Sequence, residues 1–236
     1  MMDLDPAGVA YTASTWVLPV LIAITFHEAA HGFAAWRLGD DTAYRMGRVT
    51  FNPLRHIDPF GTLVLPALLL LIRAPFLFGW AKPVPVAFHR LRRPRRDMVL
   101  VAAAGPGINL GLAIVSALLI NLTVWAPESL ADWLYWNVSH AVLINLILAI
   151  FNMLPLPPLD GGRVAVGLLP RALALPLARL ERYGLFIVIG LVFIVPMLGR
   201  ELGIDLNVLY WVIWRPVEWL WPFFEQLAGR PLRVMM

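Results

Sequence analysis

The chain contains no cysteine, and only 14% of its 236 residues are charged, whereas a soluble domain carries about a quarter. Without cysteine, a disulfide or a thiolate metal ligand is excluded, and the redox compartment cannot be inferred. Hydrophobic residues make up 60% of the sequence, and the mean hydropathy is +0.73. These values exclude a large soluble domain and predict an α-helical integral membrane protein with several spans.

The sequence also has very little lysine, because Lys82 is its single lysine and arginine supplies the rest of the basic charge. In a membrane protein, the net charge of +4 reports which loops face the cytoplasm and does not indicate nucleic-acid binding. Residues 1–11 contain Asp3 and Asp5 but no basic residue. A cleaved signal peptide begins with positive charge, so we expect the first apolar segment to be retained.

Five apolar segments organise the chain, and a tryptophan-rich tail over residues 208–224 follows them. The segments cover residues 13–36, 60–80, 98–124, 133–156 and 183–199. We therefore predict one polytopic domain over residues 1–236, a multi-span bundle. Its core within residues 13–163 has about three spans plus a re-entrant or edge-strand segment. One or two accessory helices follow within residues 180–224.

Arginine placement predicts the topology. Clusters within residues 37–55, 90–96 and 163–182 mark cytoplasmic loops, whereas the acidic loop with Glu128 and Asp132 and the N-terminus lie outside. If both ends of the second segment are cytoplasmic, that segment cannot simply cross the membrane. Its internal Pro66, Arg73 and Pro75 favour a re-entrant or interfacial hairpin over an ordinary span. The tail is expected at the membrane interface, although a sixth span is an alternative.

The pattern His27-Glu28-Ala-Ala-His31 stands inside the first apolar segment. On a helix, positions i and i+4 share one face, so both imidazoles can reach a single metal ion. Glu28 lies beside them, where it can take a proton from water instead of binding the metal. Ionisable groups at bilayer depth are costly and indicate a functional site.

A tetrahedral catalytic zinc usually has three protein ligands, so two histidines leave one ligand to be found. Asp160 ends the long uncharged run that begins after Asp132, and the preceding prolines keep that backbone out of a helix. Gly161 and Gly162 allow the chain to turn tightly beside a bulky neighbour. Asp160 is therefore the candidate third ligand, and the alternative is that it only caps the following helix.

Three motifs, in this order, resemble those of the site-2 protease family of intramembrane zinc metalloproteases, in a compact form without a PDZ domain. They are His27-Glu28-Ala-Ala-His31, Ala104-Gly-Pro-Gly-Ile-Asn109 and Asn152-Met-Leu-Pro-Leu-Pro-Pro-Leu-Asp160-Gly. The resemblance covers residues 27–163. It implies that His27, His31 and Asp160 bind one zinc ion per chain and that Glu28 is the general base. Asn109 and Asn152 resemble family residues near the substrate backbone or the oxyanion.

The resemblance implies hydrolysis of peptide bonds within or near transmembrane segments of membrane-protein substrates. Such a segment must be locally unwound, because an intact helix hides its carbonyls in hydrogen bonds. We expect a prokaryotic cell membrane with the active site toward the cytoplasm. Two alternatives are a metal transporter using the same ligands and a catalytically idle module that binds a membrane partner. The absence of an internal repeat disfavours the first, and the intact Glu28 disfavours the second.

Other polar residues have more ordinary interpretations. Residues 79–86 could be an edge strand that pairs with an unfolded substrate, although their prolines restrict such pairing. His56 and Asp58 are expected to cap a loop, with a site role as the alternative. His140 is expected to be a packed, hydrogen-bonded histidine, and His89 to lie at the interface.

Overall fold

The computed structural model describes residues 6–71 and 79–234, and this part of the chain is helical, without a β-strand. Short π-helical turns lie at Pro59–Val64, Gly190–Ile194 and Tyr210–Trp214, and 3-10 turns at Ile120–Trp125 and Leu180–Tyr183. The α-helices are α1 (Pro6–Arg37), α2 (Thr42–Arg45), α3 (Leu65–Leu71), α4 (Pro94–Leu119), α5 (Glu128–Asn152), α6 (Asp160–Leu168), α7 (Arg171–Arg179), α8 (Gly184–Ile189), α9 (Val195–Glu201) and α10 (Arg215–Ala228).

Within the described residues, four helical stretches are long and apolar enough to cross a membrane: Ala10–Arg37, Pro94–Trp125, Glu128–Asn152 and Arg171–Glu201. The predicted helical membrane bundle is therefore confirmed. Three of these stretches correspond to the predicted core spans. The fourth joins α7, α8 and α9, so it begins earlier than the predicted segment 183–199.

The core of the bundle is formed by α1, α4 and α5, which pack against one another. On α4, Ala113 and Ala117 are buried and allow α5 to approach with Val142 and Leu146. The C-terminal helix α10 adds Phe224 to the same core and packs on α4 and α5. The tryptophan-rich tail is thus an additional helix packed on the bundle, and it is not one of the four candidate spans.

The second apolar segment returns to where it starts. Its residues 72–78 lie outside the described part of the chain, but both of its ends are described. The Trp80 N–H donates to the Gly61 carbonyl at 3.1 Å, and the Thr62 hydroxyl donates to the Trp80 carbonyl at 2.8 Å. We call this junction of Gly61, Thr62 and Trp80 the neck. Because the ends meet, the segment does not cross the bilayer in a single pass, as expected of the re-entrant hairpin.

Residues 79–87 form no regular secondary structure, so the expected edge strand over residues 79–86 has no strand partner within the described chain, and its pairing with a substrate stays a prediction. Pro83 and Pro85 supply no N–H group for a ladder. Several of the remaining N–H groups hydrogen-bond to the body of the protein. Lys82 donates to the His56 carbonyl at 2.9 Å, and Ala87 donates to Asp40 Oδ2 at 2.6 Å. We call residues 79–87 the strap.

Candidate metal centre

The two histidines of α1 face α4, and both are buried. His27 Nδ1 lies 2.6 Å from Asn109 Oδ1, and His31 Nδ1 lies 2.8 Å from the Val101 carbonyl oxygen. Both partners are hydrogen-bond acceptors, so each Nδ1 carries the proton of a neutral imidazole. Each Nε2 atom is thereby left with a lone pair, which is the form that binds a metal ion.

Asp160, the first residue of α6, completes a triangle with these two nitrogens. Its Oδ2 atom lies 3.2 Å from Nε2 of His27 and 3.2 Å from Nε2 of His31, and the two Nε2 atoms are 3.0 Å apart. Ligand atoms on a tetrahedral zinc ion with bonds of about 2.0 Å are separated by about 3.3 Å. The spacing therefore fits a zinc ion.

Charge and hydrogen bonding at the triangle also fit a cation. Asp160 Oδ2 is buried and has no hydrogen-bond donor in the described chain. Three acceptor atoms therefore converge in a buried space, which is unfavourable unless a cation or protons compensate them. Among the described residues, His27, His31 and Asp160 form the one group of three such side chains within metal-binding distance.

Gly105 is required for the close approach of α4 to the histidines. A Cβ atom at this position would lie 2.4 Å from His31 Nε2 and 2.6 Å from His27 Cε1, which is much closer than van der Waals contact. The Gly105-Pro106 motif therefore brings a helix backbone directly against the donor atoms. In contrast, Gly107 faces open space.

The loop before α6 places Asp160 at the histidines. A Cβ atom at Gly161 would lie 2.2 Å from the Met153 carbonyl oxygen, so the start of α6 packs tightly on the end of α5. This agrees with the close turn expected from the glycines. Leu159 occupies the N-cap position, and no side chain caps the helix. The Asp160 carboxylate is thus free to face the histidines.

Glu28 lies next to the triangle but outside it. Its Oε2 atom accepts a hydrogen bond of 2.7 Å from the Val84 N–H, in the strap. Its Oε1 atom has no hydrogen-bond partner in the described chain. A half-buried carboxylate with one oxygen held and the other available is suited to accepting a proton.

The structure places the two candidate asparagines differently. Asn109 is fully buried behind His27, and its Nδ2 donates to the Ala23 carbonyl at 3.2 Å and to Asn145 Oδ1 at 2.8 Å. Asn152 is partly exposed in the last turn of α5 and donates to the Leu148 carbonyl at 3.0 Å. Sequence reasoning missed the contact between Asn109 and Asn145, which depends on how α4 and α5 are rotated.

Other histidines lie outside the centre. His140 Nδ1 lies 3.1 Å from the Thr15 carbonyl oxygen, and its ring stacks on Trp16 at 4.0 Å, so His140 is the packed histidine expected. The ring of His56 contacts the Thr50 carbonyl oxygen at 2.9 Å. The expected loop cap is provided by Asp58, which accepts hydrogen bonds from two successive N–H groups.

The chain is similar to known peptidases. The family model described as Peptidase family M50 matches residues 123–195. Two relatives are named "Putative zinc metalloprotease": YwhC of Bacillus subtilis (strain 168) and Rip2 of Mycolicibacterium smegmatis. YwhC is 40% identical over 185 residues, which cover 77% of this chain and 80% of YwhC. Rip2 is 32% identical over 195 residues, which cover 81% of this chain and 70% of Rip2. No solved structure matches.

Proposed function

Because the chain belongs to peptidase family M50, the site-2 protease family, we propose that this metalloprotease hydrolyses peptide bonds within or near the membrane. Its substrates would be membrane proteins whose transmembrane segment is locally unwound. The proposal includes one zinc ion per chain and an active site open toward the cytoplasmic side of a prokaryotic cell membrane.

One observation carries the proposal: three buried ligand atoms converge at a membrane-spanning helix. His27 and His31 belong to the candidate span Ala10–Arg37, and Asp160 reaches both from α6 at 3.2 Å. Two imidazoles and a carboxylate at such depth are costly unless they serve a function. A structural zinc site would normally be closed by four protein ligands, whereas three ligands leave one position for chemistry.

We assign His27, His31 and Asp160 to zinc and Glu28 to proton transfer. A zinc ion bound by these residues supplies a Lewis acid, which polarises a peptide carbonyl and makes water easier to deprotonate. Glu28 then accepts the proton of the attacking water at Oε1 and returns it to the leaving amine. The hydrogen bond from Val84 to Oε2 holds the carboxylate during both transfers.

The burial of the site supports the substrate class proposed. His27, His31 and Asp160 are each less than one-tenth exposed, so a substrate must present a bare, extended backbone to reach them. A transmembrane helix with internal glycine, proline or asparagine unwinds more easily than one built from leucine. We therefore expect substrates with helix-breaking residues near the scissile bond.

The variant Glu28→Gln tests the proposal. It keeps the size of the side chain and its acceptor for the Val84 N–H, but it cannot accept a proton from water. Losing a general base typically lowers the rate by a factor on the order of a hundred to ten thousand. The experiment compares wild type and Glu28→Gln on a panel of single-span substrates in detergent or proteoliposomes, and zinc is measured in both proteins.

Zinc content separates the possible outcomes. Glu28→Gln should hold about one zinc ion per chain but cleave almost nothing, whereas Asp160→Ala should lose both zinc and cleavage. A metal transporter would instead keep its metal flux in Glu28→Gln and release no peptide from any substrate. Cleavage by Glu28→Gln at the wild-type rate would disprove the role of Glu28.

A further inference from the structure

The strap is fixed to the protein at intervals along its length. Trp80, Lys82 and Val84 donate their N–H groups to Gly61, His56 and Glu28, respectively. In the sequence, this stretch is broken by Pro83 and Pro85, so it cannot be held by a continuous β-ladder. The strap therefore depends on individual contacts for its position beside Glu28.

Arg48 provides a further contact, through the backbone carbonyls of the strap. Its Nη2 atom donates to the Lys82 carbonyl at 2.7 Å and approaches the Pro83 carbonyl at 3.4 Å. These two carbonyls immediately precede the Val84 N–H in the chain. Arg48 thus fixes the peptide units that determine where that N–H points.

The burial of Arg48 is unusual for a loop arginine. Only 6% of its surface is exposed, and within the part of the chain that the structure describes it forms no ion pair, while its Nε atom has no hydrogen-bond partner. Burying an unpaired cation is destabilising. A buried cation that is kept despite this cost indicates a functional role. The short hydrogen bond of Arg48 is the one to the Lys82 carbonyl in the strap.

We propose that Arg48 is a positioning residue for peptide hydrolysis. It holds the Lys82 and Pro83 carbonyls so that the Val84 N–H stays on Oε2 of Glu28, and this leaves Oε1 as the oxygen that accepts the proton. Arg48 touches neither the metal ligands nor the substrate in this role. The inference rests on the proposed function of Glu28.

The size of the effect follows from the geometry of proton transfer. If the strap shifts, the Glu28 carboxylate can rotate and spend time away from the reactive orientation. Misplacement of a reacting group by about 1 Å can lower a rate about a hundredfold. We therefore expect Arg48→Met to lower kcat about ten- to hundredfold, with KM changed less than about threefold, because the interaction lost matters most in the transition state.

Matched variants separate positioning from charge and folding. Arg48→Lys keeps the positive charge and an ammonium donor group, so it should recover part of kcat. Arg45→Met is the control: Arg45 is a nearby arginine at the end of α2, but it is exposed and pairs with Asp41, and its removal should leave kcat unchanged. Zinc content should stay at the wild-type level in all three variants, because none of them touches His27, His31 or Asp160.

Val84→Pro removes the N–H itself and tests the link directly. It should lower kcat as Arg48→Met does, and the double variant should be little worse than either single variant, because both act through the same hydrogen bond. Val86→Pro is the matched control, since the Val86 N–H has no hydrogen-bond partner in the described residues. Fully additive effects of Arg48→Met and Val84→Pro would overturn the proposal.

A cysteine at Ala81 reports the position of the strap independently of catalysis, because the chain has no cysteine of its own. Its labelling by a maleimide should be faster in the Arg48→Met background than in wild type or Arg45→Met. Unchanged kcat or unchanged labelling in Arg48→Met would overturn this inference while leaving the proposed function intact. A wild-type protein without peptidase activity would overturn both.

Discussion

The Nδ1 atom of His27 lies 2.6 Å from Oδ1 of Asn109, across the interface between α1 and α4. Exchanging the oxygen and the nitrogen of this amide would break hydrogen bonds, because its Nδ2 already donates to Asn145 and to the Ala23 carbonyl. Asn109 therefore selects one tautomer of His27, in which Nε2 faces Asp160. Three helices cooperate in this selection, since His27, Asn109 and Asn145 belong to α1, α4 and α5.

Replacing Asn109 should weaken the binding of zinc. Partners of metal-binding histidines typically contribute a factor of about ten to a hundred in metal affinity, so Asn109→Ala should raise the zinc dissociation constant by that factor. Asn137→Ala is the control, because Asn137 is also a buried amide of the bundle, and its side chain donates to the Trp133 carbonyl, far from the histidines in the sequence. Competition with a chelator gives both affinities. Wild-type affinity in Asn109→Ala would contradict the tautomer argument.

Adding one methyl group at Gly105 should disrupt the metal centre. The new Cβ atom would overlap His31 Nε2, so Gly105→Ala should lower zinc occupancy and peptidase activity together, while the helical circular dichroism remains. Gly107→Ala serves as the control two residues further along the same helix, where the added methyl group meets open space. Equal zinc occupancy in the two variants would show that α4 can move away from the histidines without penalty.

The orientation in the membrane can be tested with single cysteines, since the native chain has none. Met46→Cys and Arg92→Cys flank the re-entrant segment, and a membrane-impermeant reagent should label both from the cytoplasmic side. Ser129→Cys lies in the acidic loop and should label from the opposite side. Opposite labelling of Met46→Cys and Arg92→Cys would mean that the chain crosses the membrane between them.

Protonation of Asp40 at low pH should weaken its hydrogen bond with the Ala87 N–H, at the C-terminal end of the strap. Burial raises the pKa of Asp40, but hydrogen bonds from Thr42 and from the Ala87 N–H, together with the charge of Arg90, outweigh it and hold this pKa below its ordinary value of 3.8. A carboxylate with a lowered pKa stabilises the folded state above its unfolded pKa, and this stabilisation is lost as pH falls through the folded pKa.

The measurement is the difference in Tm between wild type and Asp40→Asn as a function of pH. Above about pH 4 the ionised carboxylate contributes fully, so wild type should melt at a higher temperature than Asp40→Asn. The difference should shrink as the pH falls further and the carboxylate is protonated. A difference that stays constant down to pH 3 would show that Asp40 acts through its shape and not its charge.

The structure brings together the three side chains that the sequence predicts as metal ligands, for a simple physical reason. His27 and His31 share a helix face by their spacing alone, and Asp160 stands out because carboxylates are rare in a long apolar run. The bundle of membrane-spanning helices followed from composition in the same way. These features depend on local periodicity and on the cost of polar groups in lipid, which a sequence records directly.

The sequence could not predict contacts that depend on how distant segments meet. Arg48 was interpreted only as one basic residue of a cytoplasmic loop, yet it is buried under the strap. The sequence predicts that residues 79–86 pair with a substrate as an edge strand, but it does not predict which groups of the protein hold this stretch. Asn145 is a polar residue of the fourth apolar segment, but an amide in an apolar helix has many possible partners, so the sequence does not predict its contact with Asn109.

The neck fixes both ends of the second apolar segment next to the strap. Gly61 and Thr62 are each joined to Trp80 by a hydrogen bond, so the two ends of the segment are held together by contacts that do not involve the stretch between them. Lengthening a closed loop changes its entropy only slowly. A change in the length of the chain between Thr62 and Trp80 is therefore expected to leave the strap, and Glu28 beside it, in place.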